Sequence, residues 1–404
     1  MRVLCVVGAR PNFVKIAAFL QEARKHPTIQ VLLVHTGQHY DADMSESFFA
    51  DLGIPRPHMN LGVSAANSAE PTSEMIRRLQ PVLLRERPDV ALVVGDVNST
   101  LAGALAAAQL GIPVAHVEAG LRSFDLSMPE EINRIATDAV SALLFASESS
   151  ALRNLVLAGR PRERIFLVGN IMIDTLRRFL PVARRSTTLR DLGLEGEGRL
   201  NRKRRYAVLT LHRPSTVDNP DVLRRIWGAL NDIGSRIPII FPVHPRTRQR
   251  FQEAGLGSLA REESGAGGSG IRMVPPLGYL QFLHLQSEAA CVITDSGGVQ
   301  EETTVLGVPC LTLRENTERP VTVSHGTNTV VGLEPERLRQ EVEQILSGNG
   351  KRGSLPPGWD GHCAERILKI LQAYLVPRTR GSRRPGLTPC LWLVPADMAV
   401  PQPV

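Results

Sequence analysis

The sequence predicts an α/β protein made of two doubly wound units. Short continuous apolar runs alternate with segments of helical period, and these runs fall into two series with a charged stretch between them. The chain has 404 residues, more than one core usually supports, since about 100–200 residues per domain is ordinary. The first series comprises residues 3–7, 31–34, 90–94, 114–117 and 143–146, and the second 206–211, 237–241, 271–274, 291–294 and 309–313. Runs of this length, apolar throughout and bounded by turn residues, read as parallel strands covered on both faces. Residues 181–205 separate the two series; rich in charge and glycine, they are expected to be a linker with few core positions. Residues 363–375 carry Ile367, Leu368, Ile370, Leu371 and Leu375 at helical spacing and predict a terminal amphipathic helix. Residues 263–270 and the tail beyond 377 lack periodicity and are expected not to pack.

Composition excludes several classes. An apolar content of 43% with 22% charged residues is ordinary for a folded enzyme. The net charge of +7 comes partly from two runs, 199–205 and 378–384, which carry no interleaved aromatics and read as solvated loops, not as a nucleic-acid surface. The five cysteines form no CxxC pair, so neither a zinc ribbon nor a disulfide framework is expected; Cys5, Cys291 and Cys310 sit in strand-like runs and are assigned to packing. No signal segment and no membrane span is read, which predicts a cytoplasmic location.

Glycine-rich and polar residues collect just after the first-series strands, at 8–12, 36–39, 95–100 and 116–122. In open α/β sheets the ligand crevice lies outside the carboxyl ends of the strands, so these loops should converge. Asp96, Glu118 and the helix start Pro129-Glu130-Glu131-Ile132-Asn133-Arg134 place carboxylates there, with Arg10, Lys15 and Arg122 as counter-charge. Carboxylates held close together shift one another's pKa and suit acid/base work. For Asp96 or Glu118 alone, capping of the next helix is an equally good explanation. The second unit offers His212, His244 and the run 294–302. Its Ser296-Gly297-Gly298 turn from strand into helix would present backbone N–H groups to a phosphate, a diphosphate above all. Glu302, one turn on, either accepts ribose hydroxyls or complements the helix dipole. His212 and His244 end strands and either contact phosphate or sugar or are structural. The run 265–270 matches G-x-G-x-x-G but precedes a strand and opens no helix, so it is no dinucleotide fingerprint. The ten histidines show no metal-ligand spacing, and no metal is expected.

Taken in order, GARPNFVK, HTGQH, GDVNST, HVEAGLRSFDLSMPEEINR, VGN, HRP, PVHPRT, TDSGGVQEE and ENTERPVTVSHGTN resemble the non-hydrolysing UDP-N-acetylglucosamine 2-epimerases over roughly residues 1–375. HVEAGLR with PEExNR, then SGGVQEE with TERP, is the specific combination. The resemblance implies two Rossmann-like domains in a glycosyltransferase-B-like arrangement with the active site in the cleft between them. The domains would be 1–175, joined by the terminal helix 359–376, and a UDP-binding 176–358, with 377–404 a disordered tail. It also implies inversion at C2 of UDP-GlcNAc to UDP-ManNAc, through elimination and re-addition of UDP, without a cofactor, in polysaccharide precursor synthesis. Asp96, Glu118 and Glu130 match the catalytic acids. Arg10, Lys15, Arg134, His212, His244, Ser296, Gly297, Gly298, Glu302 and Arg314 match UDP- or substrate-binding positions, and Phe282 is placed to stack on uracil. Gln38 and His39 match a region where a second UDP-GlcNAc binds as activator, and a homodimer is usual in the family. Departures are Asn12, where many members have Glu, and Val97-Asn98-Ser99 in place of a threonine run; both suggest a modified UDP-GlcNAc as substrate. The rivals are a hydrolysing epimerase releasing ManNAc and UDP, a glycosyltransferase of the same fold, and a UDP-sugar sensor without activity.

Overall fold

A computed structural model describes residues 1–37, 48–63, 70–195, 205–256, 261–262 and 270–375. The expectations for Gln38, His39, residues 263–269 and the tail from 377 lie outside the described residues. Seven strands form the first sheet: β1 (Arg2–Val7), β2 (Gln30–His35), β3 (Met59–Asn60), β4 (Val90–Val94), β5 (Val114–Ala119), β6 (Leu143–Ala146) and β7 (Ile165–Leu167). Their order is β3-β2-β1-β4-β5-β6-β7, every pairing parallel. The second sheet holds β8 (Ala207–Thr210), β9 (Ile239–Pro242), β10 (Arg261–Glu262), β11 (Ile271–Val274), β12 (Cys291–Thr294), β13 (Cys310–Thr312) and β14 (Asn328–Val330). It runs β10-β11-β9-β8-β12-β13-β14, again parallel throughout. The strand order reverses beside β1 in the first sheet and beside β8 in the second, and ligands of such sheets bind at that reversal.

Burial on both faces explains the continuous apolar runs. Val3, Cys5 and Val7 enter the core on one side of the first sheet, Leu4 and Val6 the core on the other. Ala207 and Leu209 likewise oppose Val208. Cys5, Cys291, Cys310 and Cys363 are buried free thiols, and burial raises all four above the ordinary thiol range.

The stretch expected to be a linker is ordered at its start and partly buried. The helix Ile171–Ala183 runs through Pro181, and the domain boundary expected at 175/176 falls inside it. Leu189, Leu192 and Leu194 then join the second unit's core with Tyr206 and Val208. Their spacing among arginines masks them in a sequence window, but each finds apolar neighbours. The helix Ile171–Ala183 packs on helix Arg10–Ala23 of the first unit and on helices Tyr279–Ser287 and Gly297–Leu306 of the second, so it joins the two bodies. The terminal helix Cys363–Leu375 places Cys363, Ala364, Ile367, Leu368 and Leu371 in the first core, and Trp359 ahead of it donates its indole N–H to the Ser147 carbonyl at 3.0 Å. None of the described helices is long and apolar enough to cross a membrane.

Candidate active site

Two of the loops at the carboxyl ends of the first sheet turn through left-handed backbone at fixed points. Gly95, at φ +71°, ends β4 in the left-handed region that favours glycine, and a Cβ there would stand 2.9 Å from the Lys15 ammonium. At the end of β5, where its pairing with β6 shifts register, Glu118 itself adopts φ +73°. A non-glycine residue there costs about 1–2 kcal/mol, and such strain gathers at functional positions.

The Glu118 carboxylate is buried and doubly paired: one oxygen contacts the Lys15 ammonium and the other the Arg319 guanidinium of the second unit. Asp96 pairs with Arg134, which is itself 2% exposed. Burial pushes the Asp96 carboxyl up, but Arg134, Lys15 and Arg319 outweigh it and hold the group well below the usual carboxylate range. The capping alternative fails for Asp96, because the helix Asn98–Gln109 has Val97 at its N-cap and no side-chain cap.

The helix Pro129–Val140 supplies Arg134. Proline fits its first position, and Glu130 and Glu131 complement the dipole of its first turn. These adjacent acids differ in role. Glu131 is buried, accepts from the Ser123 and Phe124 backbone N–H groups at 2.9 and 3.3 Å, and pairs with Arg134. Glu130 is half-buried and lies one helical turn before Arg134, on the same face of the helix. Asn133 donates to the Asp96 carbonyl and to Asn98, both at 3.0 Å. Below them His116 spans two acceptors, with Nδ1 2.8 Å from Asp138 and Nε2 2.8 Å from the Gly95 carbonyl. The second Asp138 oxygen takes Arg122 at 2.7 Å and the Gly120 N–H. Asp138 thus ties the loop after β5 to the loop after β4.

Asn12 turns inward. Its amide accepts from the Gly8 and Ala9 N–H groups and donates to the Val94 carbonyl at 2.9 Å. Its side chain is consumed by the loop, so this departure gives no ground for a modified sugar. Ser99 is likewise buried, 2.7 Å from the Thr36 hydroxyl.

The second unit presents a basic wall. Arg213, Arg314 and Arg319 surround Glu318, with Arg314 closest at 2.7 Å and Arg213 at 3.4 Å. Burial opposes ionisation of Glu318, yet the three guanidinium groups depress it to about 2. The helix Gly297–Leu306 begins beside them: a Cβ on Gly297 would come within 2.8 Å of Glu318, and one on Gly298 within 3.2 Å of Met172 of the joining helix. Ser296 is the N-cap residue, without a side-chain cap, and its own N–H goes to Thr294 at 3.0 Å. His212 is half-exposed and held by Asp295 at 2.8 Å through Nδ1, while the His212 and Arg213 N–H groups bind the other Asp295 oxygen at 2.9 Å each. Across the cleft Arg10 reaches His244 at 3.3 Å and lies 5.9 Å over the Phe48 ring.

Three expected ligand contacts are otherwise engaged. Both Glu302 oxygens are occupied, by Tyr279 at 3.2 Å and by Gln286, and burial raises its carboxyl to about 7. Lys15 lies on the acids of its own unit, and Arg134 is enclosed by Asp96 and Glu131. Phe282 is half-buried against the second core. Sequence reading missed Arg319 and Glu148, and named Glu131 only within the helix start, without its anchoring of Arg134. Glu148, 2% exposed at the start of helix Ser149–Leu157, is raised to about 7 by burial. Arg319 stood within the quoted TERP block, but its partner Glu118 is 201 residues away. Among the described residues no group of three or more His, Cys, Asp or Glu is placed to hold a metal ion.

Comparison with known proteins gives one consistent result. A family model described as UDP-N-acetylglucosamine 2-epimerase matches residues 21–372. A UDP-N-acetylglucosamine 2-epimerase of Methanocaldococcus jannaschii is 41% identical over 92% of this chain and 99% of that protein. A UDP-2,3-diacetamido-2,3-dideoxy-D-glucuronate 2-epimerase of Pseudomonas aeruginosa is 39% identical, again over 92% of this chain and 99% of that one. The crystal structure of the M. jannaschii enzyme in complex with UDP-GlcNAc and UDP superposes with a TM-score of 0.82, covering 92% of this chain and 99% of that chain. A Neisseria meningitidis UDP-GlcNAc 2-epimerase bound to UDP-GlcNAc, 29% identical, gives 0.81 with 92% and 100% covered.

Proposed function

The chain belongs to the UDP-N-acetylglucosamine 2-epimerase family, and from that premise we propose that it inverts C2 of UDP-N-acetylglucosamine to give UDP-N-acetylmannosamine. The observation that carries this reading is the pair Asp96 and Glu118, two carboxylates from adjacent strand ends held in one cleft by Lys15, Arg134 and Arg319. The C2 proton has no neighbouring carbonyl to acidify it. Elimination avoids that difficulty: a carboxylate takes the C2 proton as the C1–O bond breaks, leaving 2-acetamidoglucal and UDP. Re-addition forms C1–O again as an acid delivers a proton to the opposite face of C2. Atoms balance without redox change, and the two steps call for two acid/base groups, a demand that Asp96, Glu118 and Glu130 meet.

The departing diphosphate gains negative charge, which Arg213, Arg314 and the first turn of helix Gly297–Leu306 are placed to stabilise. His212, oriented by Asp295, would add a donor on the same side. Glu302 would reach ribose by exchanging a hydrogen bond from Tyr279 or Gln286. Activation by a second UDP-GlcNAc near Gln38 and His39 belongs to the same proposal, and a sigmoidal dependence of rate on UDP-GlcNAc concentration tests it. Dimer formation is tested by light scattering.

Proton NMR of the enzyme with UDP-GlcNAc in deuterated water tests the reading. UDP-ManNAc carrying deuterium at C2 is the expected product; accumulation of free ManNAc and UDP would establish the hydrolysing reaction instead. The 39% identity to the P. aeruginosa diacetamido-glucuronate epimerase supports a second reading, a modified substrate. Exchange at C2 of that sugar nucleotide, with none in UDP-GlcNAc, would decide for it.

A further inference from the structure

We infer that His116 is a positioning residue for Asp96: donating from both ring nitrogens, it clamps the Gly95–Asp96 peptide to the buried Asp138 and so fixes the direction in which the Asp96 carboxylate leaves its turn. This rests on the proposed role of Asp96 and adds to it a residue that acts through the turn alone.

His116 lies in β5 opposite Val93 of β4 and is fully buried. Its ring stands between two acceptors. Nε2 is 2.8 Å from the Gly95 carbonyl, and a carbonyl oxygen can only accept, so Nε2 carries a hydrogen. Nδ1 is 2.8 Å from Oδ1 of Asp138. The other Asp138 oxygen takes the Arg122 guanidinium at 2.7 Å and the Gly120 N–H at 3.2 Å, partners that suit a carboxylate. Burial pushes the Asp138 carboxyl up, but His116 and Arg122 outweigh it and hold the group below the usual carboxylate range. An ionised carboxylate has no hydrogen to give, so Nδ1 donates as well and the ring carries both protons.

The bond to Gly95 matters because of the residue that follows. Gly95, at φ +71°, has no side chain to restrict it, so the turn into Asp96 is only as fixed as the hydrogen bonds around it. The Gly95 N–H is held by the Val117 carbonyl at 3.0 Å, and the Gly95 carbonyl by His116. Beyond it the Asp96 carbonyl accepts from Asn133, and the Asp96 carboxylate pairs with Arg134. Asn133, Arg134 and Asp138 all belong to helix Pro129–Val140. Through His116 that helix therefore grips the peptide ahead of Asp96 as well as Asp96 itself. A displacement of about 1 Å at a reacting group can cost about 100-fold in rate.

The two ring bonds can be removed separately, because an asparagine amide nitrogen stands in for Nδ1 and a glutamine amide nitrogen for Nε2. H116F removes both bonds and should lower kcat about 100-fold. H116Q keeps the donor toward Gly95 and should hold kcat within about tenfold of the wild type, whereas H116N keeps only the donor toward Asp138 and should fall as far as H116F. A histidine that merely filled the core would give no such order. In the D96N background H116F should cost less than about threefold, because the group it positions is already gone. Nitrogen-15 NMR of the ring, assigned against H116Q, should show a hydrogen on both nitrogens at the pH of the assay. Equal kcat in H116Q and H116N, the full loss from H116F in D96N, or a ring nitrogen without hydrogen would overturn the inference. If H116F is insoluble, H116N takes its place in the D96N background with the same expectation. Rates are taken relative to the wild type on whichever UDP-sugar it converts. Wild-type behaviour therefore judges the proposed function, D96N alone judges Asp96, and the order of the variants separately judges His116.

Discussion

On the first unit's wall of the cleft, Asp96 and Glu118 are each gripped by cations, whereas on the second unit's wall Glu318 stands among three guanidinium groups, those of Arg213, Arg314 and Arg319. The same residue types thus serve opposite ends. In the first unit cations hold acids, an arrangement the proposed proton transfer would use. In the second an acid stands among cations, an arrangement the proposed diphosphate binding would use. Both sheets are seven-stranded and parallel, but the fourth strand lies beside the first in the first sheet and between the second and third in the second.

The sharpest way to break this contrast is to neutralise one wall at a time. D96N and E118Q should lower kcat by about 1,000-fold, within the range general acid–base groups contribute, with UDP affinity changed less than about threefold. Parallel losses of turnover and UDP binding would erase the distinction between the walls. On the other side, R213Q should weaken UDP binding by about 10- to 100-fold, the weight of a charge-assisted hydrogen bond, and lower kcat less than it raises the dissociation constant. Calorimetry with UDP and rates at saturation measure both.

A third experiment uses pH. Glu148, raised to about 7 by burial, keeps its proton in the folded protein at pH values where the unfolded chain has lost it. Its contribution to stability is complete below the ordinary glutamate range near 4.5 and disappears as pH rises through about 7. E148Q should therefore match the wild type near pH 4.5 and melt about 2–4 °C higher at pH 8. Equal melting temperatures at both pH values would refute the assignment. Asp96 and Glu318 behave oppositely: both are depressed, so the stability they lend is present above the ordinary carboxylate range and lost as pH falls through it. The smallest effect belongs to the seam between the terminal segment and the first unit. W359F keeps an aromatic ring but loses the hydrogen bond to Ser147 and part of the buried indole volume, which should cost about 2 kcal/mol in chemical denaturation and leave turnover unchanged.

The long strands were legible because both their faces are buried, which writes an uninterrupted apolar run into the sequence, as at 90–94 and 291–294. The edge strands Met59–Asn60, Ile165–Leu167 and Asn328–Val330 were not, since two or three residues make no period. The loops of the site could be placed because strand ends predict where a crevice lies, and the structure sets both Asp96 and Glu118 within the influence of Lys15 and Arg319 there. Partnership was harder to read. Glu130 and Glu131 are neighbours in sequence, and only the phase of the helix turns one into a buried anchor for Arg134 and leaves the other half-exposed. Arg319 and Glu118 meet only through the packing of two units, which no local pattern encodes.

The return of helix Cys363–Leu375 to the first core has a consequence for how the chain is made. Ribosomes release about 5–20 residues each second, and N-terminal domains commonly fold before the rest has emerged. Here the opening sheet must wait: Ile367, Leu368 and Leu371 complete a core that begins at Val3. Until those residues appear, the apolar face of helix Arg10–Ala23 that receives them stays uncovered, so the nascent protein carries a sticky patch through most of its synthesis. Completion of the first unit's core is thereby tied to the final stage of elongation.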